Sequence, residues 1–237
     1  MHKVGFLGIS GIDNTMNEGL AYGSQIMING DSGIGKSVLA AQFVKEGLDC
    51  QDTCIYVCCD EPPAATRDTL RHYGLHPVPY EERGRLVFID AYSLEPEGKY
   101  YFPADDPLEK FLALESRVIN TVNGEHIRLI ADSLSTLLIG RDSQEILDFH
   151  RYRLKLRKKC RILTMDLIVD EVIEDTTFQV SSHLYDVIIK LYYTGSPDRP
   201  VRALHVGKLR SGKFDSSQLF YTIDSNIGIV VIPNLWG

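Results

Sequence analysis

Residues 24–47 read SQIMINGDSGIGKSVLAAQFVKEG. Within them GDSGIGKS, residues 30–37, is a complete G-x-x-x-x-G-K-[ST] phosphate-binding loop. The apolar run before it (24–29) predicts a short buried strand, and Leu39, Ala40, Phe43, Val44 and Gly47 recur downstream at helical spacing. Strand, loop and helix follow in the order the motif needs. Glycines at 30, 33 and 35 let the backbone turn tightly with its amides inward. Those amides and the positive end of the helix then surround a phosphate. The candidate nucleotide-binding residues are therefore Gly30, Asp31, Ser32, Gly33, Ile34, Gly35, Lys36 and Ser37. Lys36 adds a point charge on the β- and γ-phosphates, and the Ser37 hydroxyl is a ligand for Mg²⁺. The plainer alternative, a glycine-rich turn with an exposed lysine, leaves the flanking strand and helix unexplained.

Working outward, 237 residues of which 44% are hydrophobic suffice for one large α/β domain, 1–237, burying roughly 70% of its unfolded surface. The net charge of −7, from 32 acidic and 25 basic residues, argues against a protein built to grip nucleic acid phosphates. No apolar run reaches the length of a membrane span, and residues 1–10 (MHKVGFLGIS) lack the apolar stretch of a secretory signal, so a cytoplasmic protein is expected. Cys50, Cys54, Cys58, Cys59 and Cys160 have no paired C-x-x-C spacing and read as reduced, mostly core thiols.

Apolar, β-branched runs recur at 54–59, 86–89, 127–131 and 162–165, separated by segments of helical periodicity. Such alternation predicts a parallel sheet with helices on both faces. After about Ser182 the strand-like runs 186–193, 201–206, 219–223 and 229–232 have short connections, with a hairpin turn at 194–200, so the C-terminal part is expected to be antiparallel. A helix is predicted over 62–73, with proline at its start and Gly74 past its end. The loop 93–107, carrying Tyr100, Tyr101 and Phe102, reads as a lid, an interface loop or an insertion. The basic stretch RYRLKLRKKCR (151–161) has an apolar stripe, Ile146, Phe149, Tyr152 and Leu156, and reads as a surface helix with its charges in water.

Hydrolysis needs a carboxylate near the metal and a group that activates water. In IRLIADSLS (127–135), Asp132 follows a buried strand, the position of a metal-holding Walker B carboxylate; capping the next helix is its other possible task. In CIYVCCDEPP (54–63), Asp60 and Glu61 end another strand, where one could deprotonate water or both could stabilise the dipole of the helix that follows.

Five stretches together resemble one KaiC-type domain of the RecA-like ATPase superfamily, over nearly the whole length. They are GIDNTMNEGLAYGS (11–24), the phosphate loop, YVCCDEPP (56–63), LIADSLS (129–135) and KLRSGKF (208–214). In the first, Gly11, Ile12, Asp13, Gly19, Leu20, Gly23 and Ser24 stand in matching places. The resemblance implies a RecA-like three-layer α/β fold, mostly parallel with antiparallel C-terminal strands. It also implies ATP and Mg²⁺ as cofactors, with the metal at Ser37 and Asp132, and a homo-oligomer, a hexameric ring being one form, that signals to an unidentified protein partner. The family's acidic pair is usually two glutamates, the first acting as base. Asp60 stands there in this chain, one methylene shorter, which sets its carboxylate back by about an ångström and leaves Glu61 as the other candidate. Lys208 and Arg210 are implied to reach a neighbouring subunit's γ-phosphate; as ordinary solvated side chains they would do nothing of the kind. Beside the ATPase reading stand a non-hydrolysing switch, similar to the KaiC-like ATP-binding component of archaeal motility machinery, and a RecA-type recombinase, which the acidic balance disfavours.

Overall fold

The computed structural model describes residues 3–96, 98–103, 105–169, 175–196, 198–210 and 212–232. A short antiparallel ribbon, β1 (Val4–Gly5) with β2 (Leu20–Ala21), precedes the main sheet. The sheet's strands are β3 (Gln25–Gly30), β4 (Thr53–Cys58), β5 (Leu86–Asp90), β6 (Ile127–Asp132), β7 (Ile162–Val169), β8 (Val187–Ser196), β9 (Arg199–Leu209), β10 (Leu219–Asp224) and β11 (Gly228–Ile232). Between them run α1 (Ser10–Asp13), α2 (Lys36–Asp49), α3 (Pro63–His72), α4 (Val78–Glu82), α5 (Leu108–Thr121), α6 (Leu134–Leu138), α7 (Ser143–Cys160) and α8 (Asp175–Ser182).

The strand order is β11-β10-β9-β8-β3-β7-β6-β4-β5. From β8 to β5 every pairing is parallel, and β9, β10 and β11 add antiparallel. The expected mixed sheet is therefore present. Strand β8 belongs to both regimes: one edge pairs parallel with β3, the other forms the predicted hairpin with β9. Because side chains alternate along a strand, each strand feeds two cores. In β4, Tyr56 and Cys58 face the core under α2 and α3, whereas Ile55 and Val57 face the core under α5, α6 and α7. Burial raises the thiol of Cys54 to about 12 and that of Cys59 well above its ordinary value, as suits inert core groups.

Two expectations are corrected. Within the loop 93–107, residues 100–102 are pinned to the sheet and are no free insertion, whereas Leu94, Glu95, Pro96, Gly98 and Lys99 are exposed. Phe102 N and Tyr100 O bond to the main chain of Asp90 at 2.8 and 3.0 Å, and the rings of Tyr100 and Phe102 are buried in the second core. An aromatic pair this apolar is better buried against Phe111, 5.2 Å from Phe102 between ring centroids, than left in water. The second correction concerns one face of the basic helix, since Arg151, Lys155, Lys158, Lys159 and Arg161 are exposed as expected. The inward stripe of α7 is Ile146, Phe149, His150, Arg153 and Arg157, while Tyr152 is about half exposed. Arg153 and Arg157 are wholly buried, not solvated. Two carboxylates meet them: Arg153 bonds Asp166 of β7 at 2.8 and 2.9 Å, and Glu115 of α5 lies 3.2 Å from Arg153 and 2.6 Å from Arg157. Buried guanidinium groups persist only with such counter-charges, and these lie far off in sequence.

Candidate functional site

The phosphate loop leaves the carboxyl end of β3, at the centre of the sheet. Gly30 passes so close to β8 that a Cβ there would stand 2.3 Å from the Leu191 carbonyl oxygen. Gly35, at φ +119°, adopts the left-handed backbone that starts α2 and that glycine alone takes without strain. Lys36 is buried and folds back over the loop, its Nζ donating to the carbonyls of Gly30 and Asp31 at 2.7 Å each.

Support for the loop comes from the C-terminal strands. Tyr221 of β10 donates its hydroxyl to the Ile34 carbonyl at 2.8 Å. Gln42 of α2 bonds both the N–H (2.8 Å) and the carbonyl (3.2 Å) of Ile229 in β11. At the other end of the chain, the Asp13 carboxylate accepts from the amides of Leu7, Gly8 and Ile9 at 2.7 to 3.0 Å, fixing the turn ahead of α1.

Asp132 ends β6 beside the loop. The following helix is preceded by Ser133, not Asp132, so capping is not the task of this carboxylate. Instead its Oδ1 accepts from Ser37 Oγ at 3.2 Å and its Oδ2 from the Tyr56 hydroxyl at 2.6 Å. Burial pushes the Asp132 carboxyl up to about 6, the charges of Asp60 and Glu61 add to the rise, and the bonds from Tyr56 and Ser37 oppose it. Burial also holds the Tyr56 phenol well above its ordinary value, so it is a donor at any working pH.

The exit of β4 is stitched to that of β6, with the amides of Cys59 and Asp60 reaching the Asp132 carbonyl at 2.7 and 3.3 Å. Asp60 and Glu61 then diverge. Asp60 lines the same cleft as the phosphate loop and accepts from the Thr136 hydroxyl of α6. Glu61 turns toward its own helix, accepting from Thr66 Oγ1 at 3.2 Å. The cleft, of about 280 Å³, is lined by Ser32, Gly33, Gly35, Lys36, Ser37, Asp60, Asp132, Tyr73 and Ile223 among others. A larger cleft of about 520 Å³ lies between α5 and α7, but its charged lining is Glu109, Glu145 and Asp148, which repel a polyphosphate.

Lys208 and Arg210 lie elsewhere. Strand β9 runs against β8, and Lys208 pairs with Ile188, near the amino end of the parallel strands. Arg210 is level with Asp186 and Gln25, five residues or roughly 17 Å of strand from Gly30. Lys208 Nζ donates to the Ser182 and His183 carbonyls, and Arg210 to the His183 carbonyl at 2.9 Å, with Asp186 3.0 Å away. Neither is brought to this chain's own phosphate loop. Sequence reasoning missed Tyr56 and Tyr221: a tyrosine in an apolar strand carries no local sign of the polar atom it will meet.

Comparison with known proteins gives the family and the fold. A family model described as "ATPase: KaiC" matches residues 7–235. The circadian clock protein KaiC3 of Synechocystis sp. is 26% identical over 230 residues, covering 95% of this chain and 45% of that protein, so the chain spans about half its length. The archaeal flagellar ATP-binding protein FlaH of Sulfolobus acidocaldarius is 30% identical over 220 residues, 91% of each chain. A crystal structure of a KaiC-like protein from Pyrococcus horikoshii superposes with a TM-score of 0.81 at 20% identity, over 98% of this chain and 100% of that one, a likeness of fold alone. Among the described residues no helix is long and apolar enough to cross a membrane.

Proposed function

This chain belongs to the KaiC family of ATPases, and from that premise we propose that it binds ATP with Mg²⁺ and hydrolyses it, as a homo-oligomer whose nucleotide state is read by a protein partner. The observation that carries the reading is the convergence on one cleft of the phosphate loop, the Ser37–Asp132 pair and Asp60. Main-chain amides of residues 30–37 bind the phosphates, and Lys36 exchanges its loop carbonyls for phosphate oxygens. Two hard oxygen donors 3.2 Å apart, Ser37 Oγ and Asp132 Oδ1, suit a magnesium ion, with Asp132 acting directly or through water. That ion, when bound, neutralises charge on the β- and γ-phosphate oxygens. Asp60, in the cleft, is the proposed base that takes a proton from the attacking water; Glu61, turned toward Thr66, supports α3.

The placement of Lys208 and Arg210 away from their own loop favours action in trans, at a neighbouring subunit's γ-phosphate. Recognition of adenine, the number of subunits and the signalling role rest on kinship. A second reading, ATP held without turnover, is favoured by Asp60 being the shorter acid and already bonded to Thr136. Phosphate release separates the two. The wild-type protein should release phosphate faster than Lys36→Ala, and Asp60→Asn should lose that release at unchanged ATP affinity while Glu61→Gln retains it. Tight ATP binding with wild-type release no faster than Lys36→Ala would select the switch, and no ATP binding by calorimetry would refute both.

A further inference from the structure

Tyr56 stands in the middle of β4, a fully buried strand, on the face that packs against α2. Its ring fills core space beside Phe88, at 6.1 Å between centroids, which phenylalanine would do equally well. The hydroxyl is therefore unnecessary for packing, and a buried hydroxyl costs stability unless bonded. Its partner is Asp132 Oδ2 at 2.6 Å. The other oxygen of that carboxylate, Oδ1, is the one that meets Ser37.

Resting on the magnesium–ATP reading above, we propose that Tyr56 is a positioning residue for the metal site: by engaging Asp132 Oδ2 it fixes the carboxylate so that Oδ1 faces Ser37 and the bound ion. Tyr56 touches neither nucleotide nor metal; it acts through Asp132. A strand is a rigid mount, and a carboxylate held at one oxygen retains a single rotamer rather than several. Partners of metal-holding groups commonly set metal affinity by about ten- to a hundredfold. The Tyr56 hydroxyl belongs to that class by geometry, and the loop amides and Lys36 that grip the phosphates do not depend on it.

The test separates metal affinity from phosphate grip. ATP binding is titrated by calorimetry without and with increasing magnesium for the wild type, Tyr56→Phe, Asp132→Asn and the double variant. Tyr56→Phe is expected to raise the magnesium concentration for half-maximal tightening of ATP about tenfold, with magnesium-free ATP affinity within about twofold of wild type. In the Asp132→Asn background the same change should add less than about twofold, since the two act in one chain of contacts. An unaltered magnesium requirement in Tyr56→Phe, an equal loss of magnesium-free affinity, or full additivity with Asp132→Asn would overturn the assignment and leave the ATP reading intact. A wild-type protein that binds ATP no tighter with magnesium would overturn the metal reading and this inference with it. Should Tyr56→Phe fail to melt cooperatively while the double variant does, the unbonded carboxylate is the cause and the coupling is supported. Should both fail, the Tyr56 hydroxyl serves the fold rather than the metal site and the inference is wrong.

Discussion

Replacing Glu115 by glutamine tests the buried charge cluster of α5, α7 and β7. In the native protein two guanidinium groups, Arg153 and Arg157, face two carboxylates, Glu115 and Asp166, and all four side chains are fully buried. Asp166 serves Arg153 through both oxygens and also accepts from the Tyr185 hydroxyl at 2.8 Å, so it has little capacity left. Arg157 depends on Glu115, 2.6 Å away, and its Nε and Nη1 have no hydrogen-bond partner among the described residues. Glu115→Gln keeps the shape but leaves one net positive charge in the core. Removing one partner of a buried pair costs about 3–5 kcal/mol, a large share of the roughly 5–15 kcal/mol by which a domain is stable. With a urea slope of about 3 kcal/mol per molar, at the upper end of the usual range, the midpoint should fall by about 1–1.7 M. Adding Arg157→Met, which restores neutrality, should recover most of the loss. A single variant within about 0.5 kcal/mol of wild type, the behaviour of a solvated surface charge, would refute the account.

Two further outcomes follow from groups near the cluster and the loop. Burial pulls the His150 imidazole down to about 4 from 6.5, so the unfolded chain takes up a proton that the native one refuses. Stability tied to this group is intact above pH 6.5 and is lost progressively toward pH 4. Between pH 7 and 4.5 the loss is about 2–3 kcal/mol, and urea unfolding of His150→Gln should lack that part of the acid slope; an unchanged slope would count against a neutral buried ring. Tyr221→Phe removes one hydrogen bond to the Ile34 carbonyl, worth about 1 kcal/mol, and should weaken ATP binding by roughly fivefold in calorimetry; unchanged affinity would show that β10 does not brace the loop.

The parallel sheet was legible because each of its strands is a local feature, an apolar run whose character survives in isolation. The phosphate loop was legible because glycine and lysine at fixed spacing carry their own geometry. Asp132 could be located at a strand end by the same local logic, though only the fold shows that it turns to Ser37 and Tyr56 rather than to the next helix. Arg153 and Arg157 were misread because residue type suggested solvent. Their burial depends on Glu115, 38 positions before Arg153, and on Asp166 in the next strand, contacts no periodicity encodes. Residues 100–102 were misread for a related reason. A segment without secondary structure looks free until its aromatic rings find a core built by α5.

The strut from Tyr221 to Ile34 spans 187 positions, and the clasp between Gln42 and Ile229 spans the same number. On a ribosome adding roughly 5–20 residues each second, the glycine-rich turn emerges about 10–40 s before the tyrosine that will hold it. Throughout that interval the nascent polypeptide displays a pocket that is spelled out but unsupported. Both braces on the loop can therefore form only after the antiparallel edge has closed.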